Sequence, residues 1–407
     1  MTRSALALAS LSAVLVLAGC AGNGESNDGS ASRDGSASSP AGASEDGREG
    51  VGEASPPGSM ADSALADMRD ADFPEPLIDP DQVRSGGPPP DGIPPIDEPS
   101  FETASQVDWL TAEEPVLSLT VGEDTRAYPL RVMTWHEIVN DTVGGKPLAV
   151  TYCPLCNSGV AFEREVGGEV TTFGTSGRLY QDNLVMYDRQ SESLWPQLTG
   201  QASIGVRTGE QLTAIPIGTV PWSDFAAANP EAMVLSQDTG FDRPYGQNPY
   251  VGYDQSDGDV LFDLGSDLDS RLLIKERVIG VSGASSNVAY VRAALVGEDP
   301  VEVDLGGQAV VLWHLPGQNS ALDTAEISEG NDVGTVGVFT PEADGRALTF
   351  ERRGDAFVDL ETQSTWDVLG NAVEGPLEGE SLAPVTHLDT FWFSWVLFHP
   401  DTTVQGS

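Results

Sequence analysis

Cys153-Pro154-Leu155-Cys156 is the stretch of this 407-residue chain best suited to chemistry, since the only other cysteine is Cys20. Two thiols at this spacing support three kinds of chemistry. They can cycle between dithiol and disulfide, because closely spaced thiols exchange readily once one is a thiolate. They can act as two soft ligands for Cu or Zn, which then need one or two further donors, usually His or Met. They can also close a small bridge in an oxidising compartment. Four histidines are available. His136, in Trp135-His136-Glu137, and His399, in Phe398-His399-Pro400, are the candidates to complete a tetrahedral Cys–Cys–His–His metal site. His314 reads as core and His387 as surface. Met133 and Met186 are softer donors that read as core methionines.

Other chemistries lack their residues. There is no Gly-x-Ser-x-Gly elbow for a serine nucleophile. Gly174-Thr175-Ser176-Gly177 has neither the length nor the lysine of a phosphate loop. Asp254, Asp257, Gly258, Asp259, Asp263, Asp267 and Asp269 lack the regular spacing and bidentate Glu of an EF-hand, so they read as a solvated acidic loop. With 63 acidic and 20 basic side chains, the formal charge is −43. That balance excludes nucleic acid as a partner and a basic patch reading anionic lipid.

The elements that carry the thiols follow from a self-comparison. Gly144–Gly159 lies over Gly306–Ala321 without a gap, so Leu315-Pro316-Gly317-Gln318 stands where the thiol pair stands. The strand and its Pro turn recur, and both thiols are missing; the turn does not need them. Asp188 and Ser193-x-Trp195 match Asp359 and Ser364-x-Trp366, and Trp222, Phe225, Pro230 and Val234 match Trp392, Trp395, Pro400 and Val404. The sequence therefore predicts an internal duplication: repeat one over 91–234, an acidic connector over 235–277, and repeat two over 278–407. Short apolar or alternating runs such as Pro147–Tyr152, Val170–Phe173 and Leu184–Tyr187, punctuated by Gly, predict strands. Helix is expected over Leu130–Asn140, Ser223–Ala228 and Phe393–Phe398. The fold class is β-rich α+β, two tandem related subdomains with pseudo-two-fold character.

The first 90 residues read differently. Arg3, the apolar run Ala5–Leu17 and Ala18-Gly19-Cys20 form an export signal over 1–19 with a lipobox, whose cleavage leaves Cys20 to carry a diacylglycerol anchor. Residues 20–90, rich in Gly, Ser, Ala, Asp, Glu and Pro, are expected to form a disordered stalk, with at most a short helix around Ala61–Met68. The expected location is extracytoplasmic, on the cell membrane through the lipid.

Several motifs resemble the bacterial and archaeal family catalogued as domain of unknown function 3179. They are Arg126–Arg131, Trp135–Asp141, Thr151–Cys156, Phe173–Gly177, Asn183–Arg189, Arg243-Pro244-Tyr245 with Asn248-Pro249-Tyr250, and Phe398–Asp401. Asn157 is a departure, standing where that family's pattern has Gly. The resemblance implies an exported or tethered protein and weight on His136, Cys153, Cys156 and His399; it implies no reaction. Three functional readings follow from the residues: a soft-metal protein holding Cu or Zn, a thiol–disulfide redox protein, and a non-catalytic interaction module with a structural bridge.

Overall fold

The structure, a computed structural model, describes residues 63–262, 264 and 268–407. The expected export signal, Cys20, the stalk up to residue 62, and Asp263 and Asp267 lie outside the described residues. The fold is β-rich with three short α-helices among the described residues.

The chain opens with β1 (Arg84–Ser85), β2 (Phe101–Thr103), β3 (Pro115–Val121) and β4 (Asp124–Pro129), followed by α1 (Leu130–His136). A three-stranded run comes next: β5 (Ile138–Val143), β6 (Lys146–Cys153) and β7 (Ser158–Glu163). The β5–β6 turn is Gly144-Gly145, with φ of 55° and 79°, which glycine adopts without a Cβ penalty. A small ribbon, β8 (Glu165–Val166) and β9 (Glu169–Val170), precedes β10 (Phe173–Tyr180), β11 (Asn183–Asp188) and β12 (Leu194–Pro196). The first half closes with β13 (Ala214–Ile215), β14 (Gly218–Pro221), α2 (Trp222–Ala228) and β15 (Met233–Leu235).

After the connector come β16 (Arg277–Ser282), β17 (Asn287–Val291), β18 (Val301–Asp304), β19 (Ala309–Leu315) and β20 (Thr335–Phe339). A ribbon of β21 (Glu342–Ala343) and β22 (Arg346–Ala347) leads to β23 (Phe350–Arg353), β24 (Ala356–Asp359), β25 (Thr365–Trp366) and β26 (Ala372–Glu374). The last elements are β27 (His387–Phe391), α3 (Trp392–Phe398) and β28 (Thr403–Gln405).

One sheet runs β14-β3-β4-β15-β2 and another β27-β16-β17-β28. In each, the strand after the helix pairs parallel with the second strand of a hairpin: β15 with β4, β28 with β17. The remaining strands form the antiparallel sheets β13-β7-β6-β5, β1-β10-β11-β12, β18-β19-β20 and β23-β24-β25-β26, besides the two ribbons. The strands are short, as β-branched runs cut by turn glycines dictate. The β6 hairpin is buried on both faces. Ile138, Ala149 and Cys153 enter a cluster with Phe162, Met186 and Trp195, whereas Val139, Val150 and Tyr152 enter one with Leu117 and Tyr128.

Four expectations change in detail. The first helix ends at His136, because Glu137 turns left-handed (φ 59°) and Ile138-Val139 begin a strand. Val170 and Phe173 belong to different strands, Val170 closing β9 and Phe173 opening β10. Residues 63–68 form turns, not helix. Residues 63–90 are not detached: β1 pairs with β10, and Ala64 and Val83 are buried against Val185 and Tyr187. Burial of those few apolar side chains is what the segment's polar average conceals.

Candidate functional site

The thiol turn joins β6 to β7, with Cys153 paired across from Ser158. The Cys156 amide donates to the Cys153 carbonyl and the Asn157 amide to that of Pro154, both at 3.2 Å. Asn157 has φ 52°, a left-handed position that Gly or Asn fills most cheaply, and this explains the tolerance for Asn there. Cys153 and Cys156 are 2% and 0% exposed. Both are free, with their Sγ atoms 3.3 Å apart, against about 2.05 Å for a bonded pair.

A second hairpin covers the thiols. Gln181 and Asp182, φ 55° and 56°, make the two-residue turn between β10 and β11 that twisted strands favour. It brings the Asp182 carbonyl oxygen to 3.5 Å from Cys156 Sγ and 3.9 Å from Cys153 Sγ. Asn183 Nδ2 donates to Cys156 Sγ at 3.5 Å and to Gln197 Oε1 at 2.9 Å. Gln197 Nε2 donates to Thr151 Oγ1 (3.0 Å) and the Ser158 carbonyl (3.2 Å), so a fully buried amide network fixes the base of the turn. Sequence reasoning missed Gln197, because a buried glutamine carries no periodic or motif signal; Asn183 was visible only as part of a resembling motif.

Charge around the thiols is unfavourable to a thiolate. Burial pushes the Cys153 thiol well above the usual cysteine range, and its neighbour Cys156 adds to this. Glu137, buried at the end of α1, is likewise raised well above the usual carboxylate range by burial and then by Cys153. Its carbonyl accepts the Tyr152 amide at 2.8 Å, which ties the helix end to the residue before Cys153.

The histidines expected to join the thiols are engaged elsewhere. His136 is buried, with Nδ1 2.6 Å from the Pro94 carbonyl and Nε2 2.6 Å from the Tyr245 hydroxyl. A carbonyl only accepts, so Nδ1 carries the proton and Nε2 accepts from Tyr245; Tyr245 in turn meets Thr239 Oγ1 at 2.5 Å. Burial holds the His136 imidazole below its ordinary pKa, in keeping with that neutral state. His399 caps α3 and lies 4.0 Å from the Trp395 ring centre. No group of three or more His, Cys, Asp and Glu side chains among the described residues is arranged to hold a metal ion. The four-residue Cys–Cys–His–His centre expected from the sequence is therefore not assembled, because His136 serves a Pro–His–Tyr chain and His399 an aromatic corner. Met186 lies in the thiols' apolar cluster and Met133 in the other. His314 is core as expected, and His387, half-buried, donates Nδ1–H to the Val385 carbonyl at 2.8 Å.

The model of the family described as "Protein of unknown function (DUF3179)" matches residues 90–402. The chain belongs to the DUF3179 family. The matched span contains both thiols, Glu137, His136 and His399, and it starts just after β1. No curated protein and no solved structure matches the chain significantly.

Proposed function

We propose that the DUF3179 domain of this chain carries a dithiol–disulfide redox centre at Cys153 and Cys156. The observation that carries the reading is the 3.3 Å separation of two free sulfurs in a closed turn. Closing it to a bond needs a movement of about 1.3 Å, within a turn whose Cys156 amide already bonds the Cys153 carbonyl. Oxidation removes two protons and two electrons, which pass to a disulfide or another two-electron acceptor. Because burial raises the thiol, exchange is slow at neutral pH and speeds up as the solution becomes alkaline.

A soft-metal role, with Cu or Zn on the two sulfurs, is the second reading; Met186, a soft thioether donor in the thiols' apolar cluster, favours it. The experiment is to reduce the purified chain, equilibrate it across glutathione buffers, count free thiols, and assay bound metal. The pair is expected to close and reopen reversibly, and Cys153→Ser to abolish that transition. Stoichiometric Cu or Zn lost in Cys153→Ser would replace the redox reading by the metal one. A bridge that no reductant opens would leave only a structural staple in an interaction module.

Two wider features belong to the same proposal. The lipobox before Cys20 supports an exported protein held on the outer side of the cell membrane by lipid. An internal duplication is supported by the shared strand order of the β3 and β16 sheets and by the matched Asp–Trp pairs, Asp188–Trp195 and Asp359–Trp366, each 3.0 Å. A superposition of the halves that did not bring those pairs together would overturn it.

A further inference from the structure

The β10–β11 hairpin is a wall whose two faces are occupied differently. Alternation along β11 sends Leu184 and Met186 into the thiols' apolar cluster, with Leu179 of β10 packed against it. Val185 and Tyr187 point the other way, into a second cluster. There they meet Ala64 and Val83, both buried, with Leu65, Met68, Phe73 and Ile78 partly buried around them. The thiols lie under the inner face, and residues 63–89 cover the outer one.

Backbone bonds fix the same segment along the hairpin's edge. Arg84 of β1 stands opposite Leu179 and Ser85 opposite Arg178. That grip lies just before the Gln181-Asp182 turn, whose Asp182 carbonyl faces both sulfurs. The Gly86 amide donates to the Gly177 carbonyl at 2.8 Å, and the Leu77 amide to that of Ser203 at 2.9 Å. Arg178 Nη2 reaches back to the Leu65 carbonyl at 2.8 Å. Gly177 has φ 70°, and a Cβ there would lie 2.0 Å from the Pro88 carbonyl oxygen, so glycine is what lets the segment lie against β10. The matched family span begins only at residue 90. Residues 63–89 thus lie outside that span and yet hold a hairpin that covers its thiols.

We propose that residues 63–89 are a strap: docked, it holds the β10–β11 hairpin closed over Cys153 and Cys156, and undocked, it lets the tip lift and admits reagents to the sulfurs. Both thiols are 2% exposed or less, so chemistry at either sulfur needs an opening of this kind. A two-stranded ribbon is marginal by itself, and β1 supplies β10 with its second neighbour while the strap's apolar side chains cover the outer face. The inference rests on the thiol pair being the reactive site, and it holds for dithiol and metal chemistry alike.

The test follows alkylation of the reduced full chain by excess monobromobimane at fixed pH, well below melting, with Cys153 and Cys156 read by peptide mapping. Val83→Asp puts an unpaired carboxylate into the strap's buried contact and is expected to raise the rate at both thiols about tenfold or more. Val83→Ala, a milder change, should raise it by a smaller factor, and it decides the matter where Val83→Asp does not fold. Leu348→Ala is the control: Leu348 is buried in a separate cluster of the second half, so its loss lowers stability without touching the strap, and its rate should stay near that of the wild type. Unchanged rates in the Val83 variants, or an equal rise in Leu348→Ala, overturn the proposal. A pair that alkylates as expected yet never cycles in glutathione is a different failure, which sinks the dithiol reading and leaves the strap standing.

Discussion

Glu137 sits where helices commonly turn into glycine, at φ 59° and buried, with its carboxyl raised by burial and by Cys153. A carboxyl whose folded value is raised gives its full stability below the unfolded value, near 4.5, and loses it as pH rises. Glu137→Gln, neutral at every pH, should therefore melt several degrees above the wild type at pH 8, with the gap closing toward pH 4. A gap that is flat or widens on acidification would contradict this. The thiol pair was legible in the sequence because its chemistry depends on a three-residue spacing. The role of His136 was not, because its partners Pro94 and Tyr245 lie 42 and 109 residues away and neither residue type advertises a histidine. Gln197 was equally hidden, since burial of a loop glutamine is a tertiary fact.

At the level of elements, the same bracket occurs twice. Buried Asp188 accepts from Trp195 Nε1 at 3.0 Å and from the Ser191 amide and hydroxyl at 2.7 Å. Buried Asp359 accepts from Trp366 Nε1 and the Ser364 amide, both at 3.0 Å, and from the Thr362 hydroxyl at 2.8 Å. Each bracket pins a strand to the loop that returns from it. Burial alone would raise the Asp359 carboxyl, but these donors outweigh it and hold the group below its usual range. Its contribution is present above about 3.8 and is lost as pH falls below that value. Asp359→Ala strands several buried donors and should cost about 3 kcal/mol or more, measured by urea unfolding at pH 7, with a smaller loss of stability between pH 4 and pH 2 than the wild type shows. A cost below about 1 kcal/mol would mean that water replaces the carboxylate. The sequence matched Asp188 with Asp359 and Trp195 with Trp366 without revealing that each pair bonds, and it placed α2 and α3 to within one residue at their starts. It overextended α1, because amphipathic periodicity runs on through Ile138 and Val139 while the left-handed Glu137 and strand pairing stop the helix.

For the whole molecule, the net charge of −43 repels anionic lipid, so the membrane residence proposed above would depend on a covalent tether. Cys20→Ala should move the protein from the membrane to the soluble fraction of the host cell; retention on the membrane would overturn the anchor. Burial depresses all four imidazoles, His136, His314, His387 and His399, which sets their stabilising contribution above pH 6.5 and its loss below. The backbone also joins what the sequence divides. The Cys156 carbonyl accepts from the Thr390 hydroxyl (2.7 Å) and the Phe391 amide (3.1 Å), and the Glu113 carbonyl accepts the Asn319 amide (2.8 Å). Cutting the chain at the connector would thus yield two fragments each missing a wall, the first with the underside of its thiol turn open to water. The halves behave as the two parts of a hinge-less clasp, and a laboratory dissection has to supply both pieces together to recover either one.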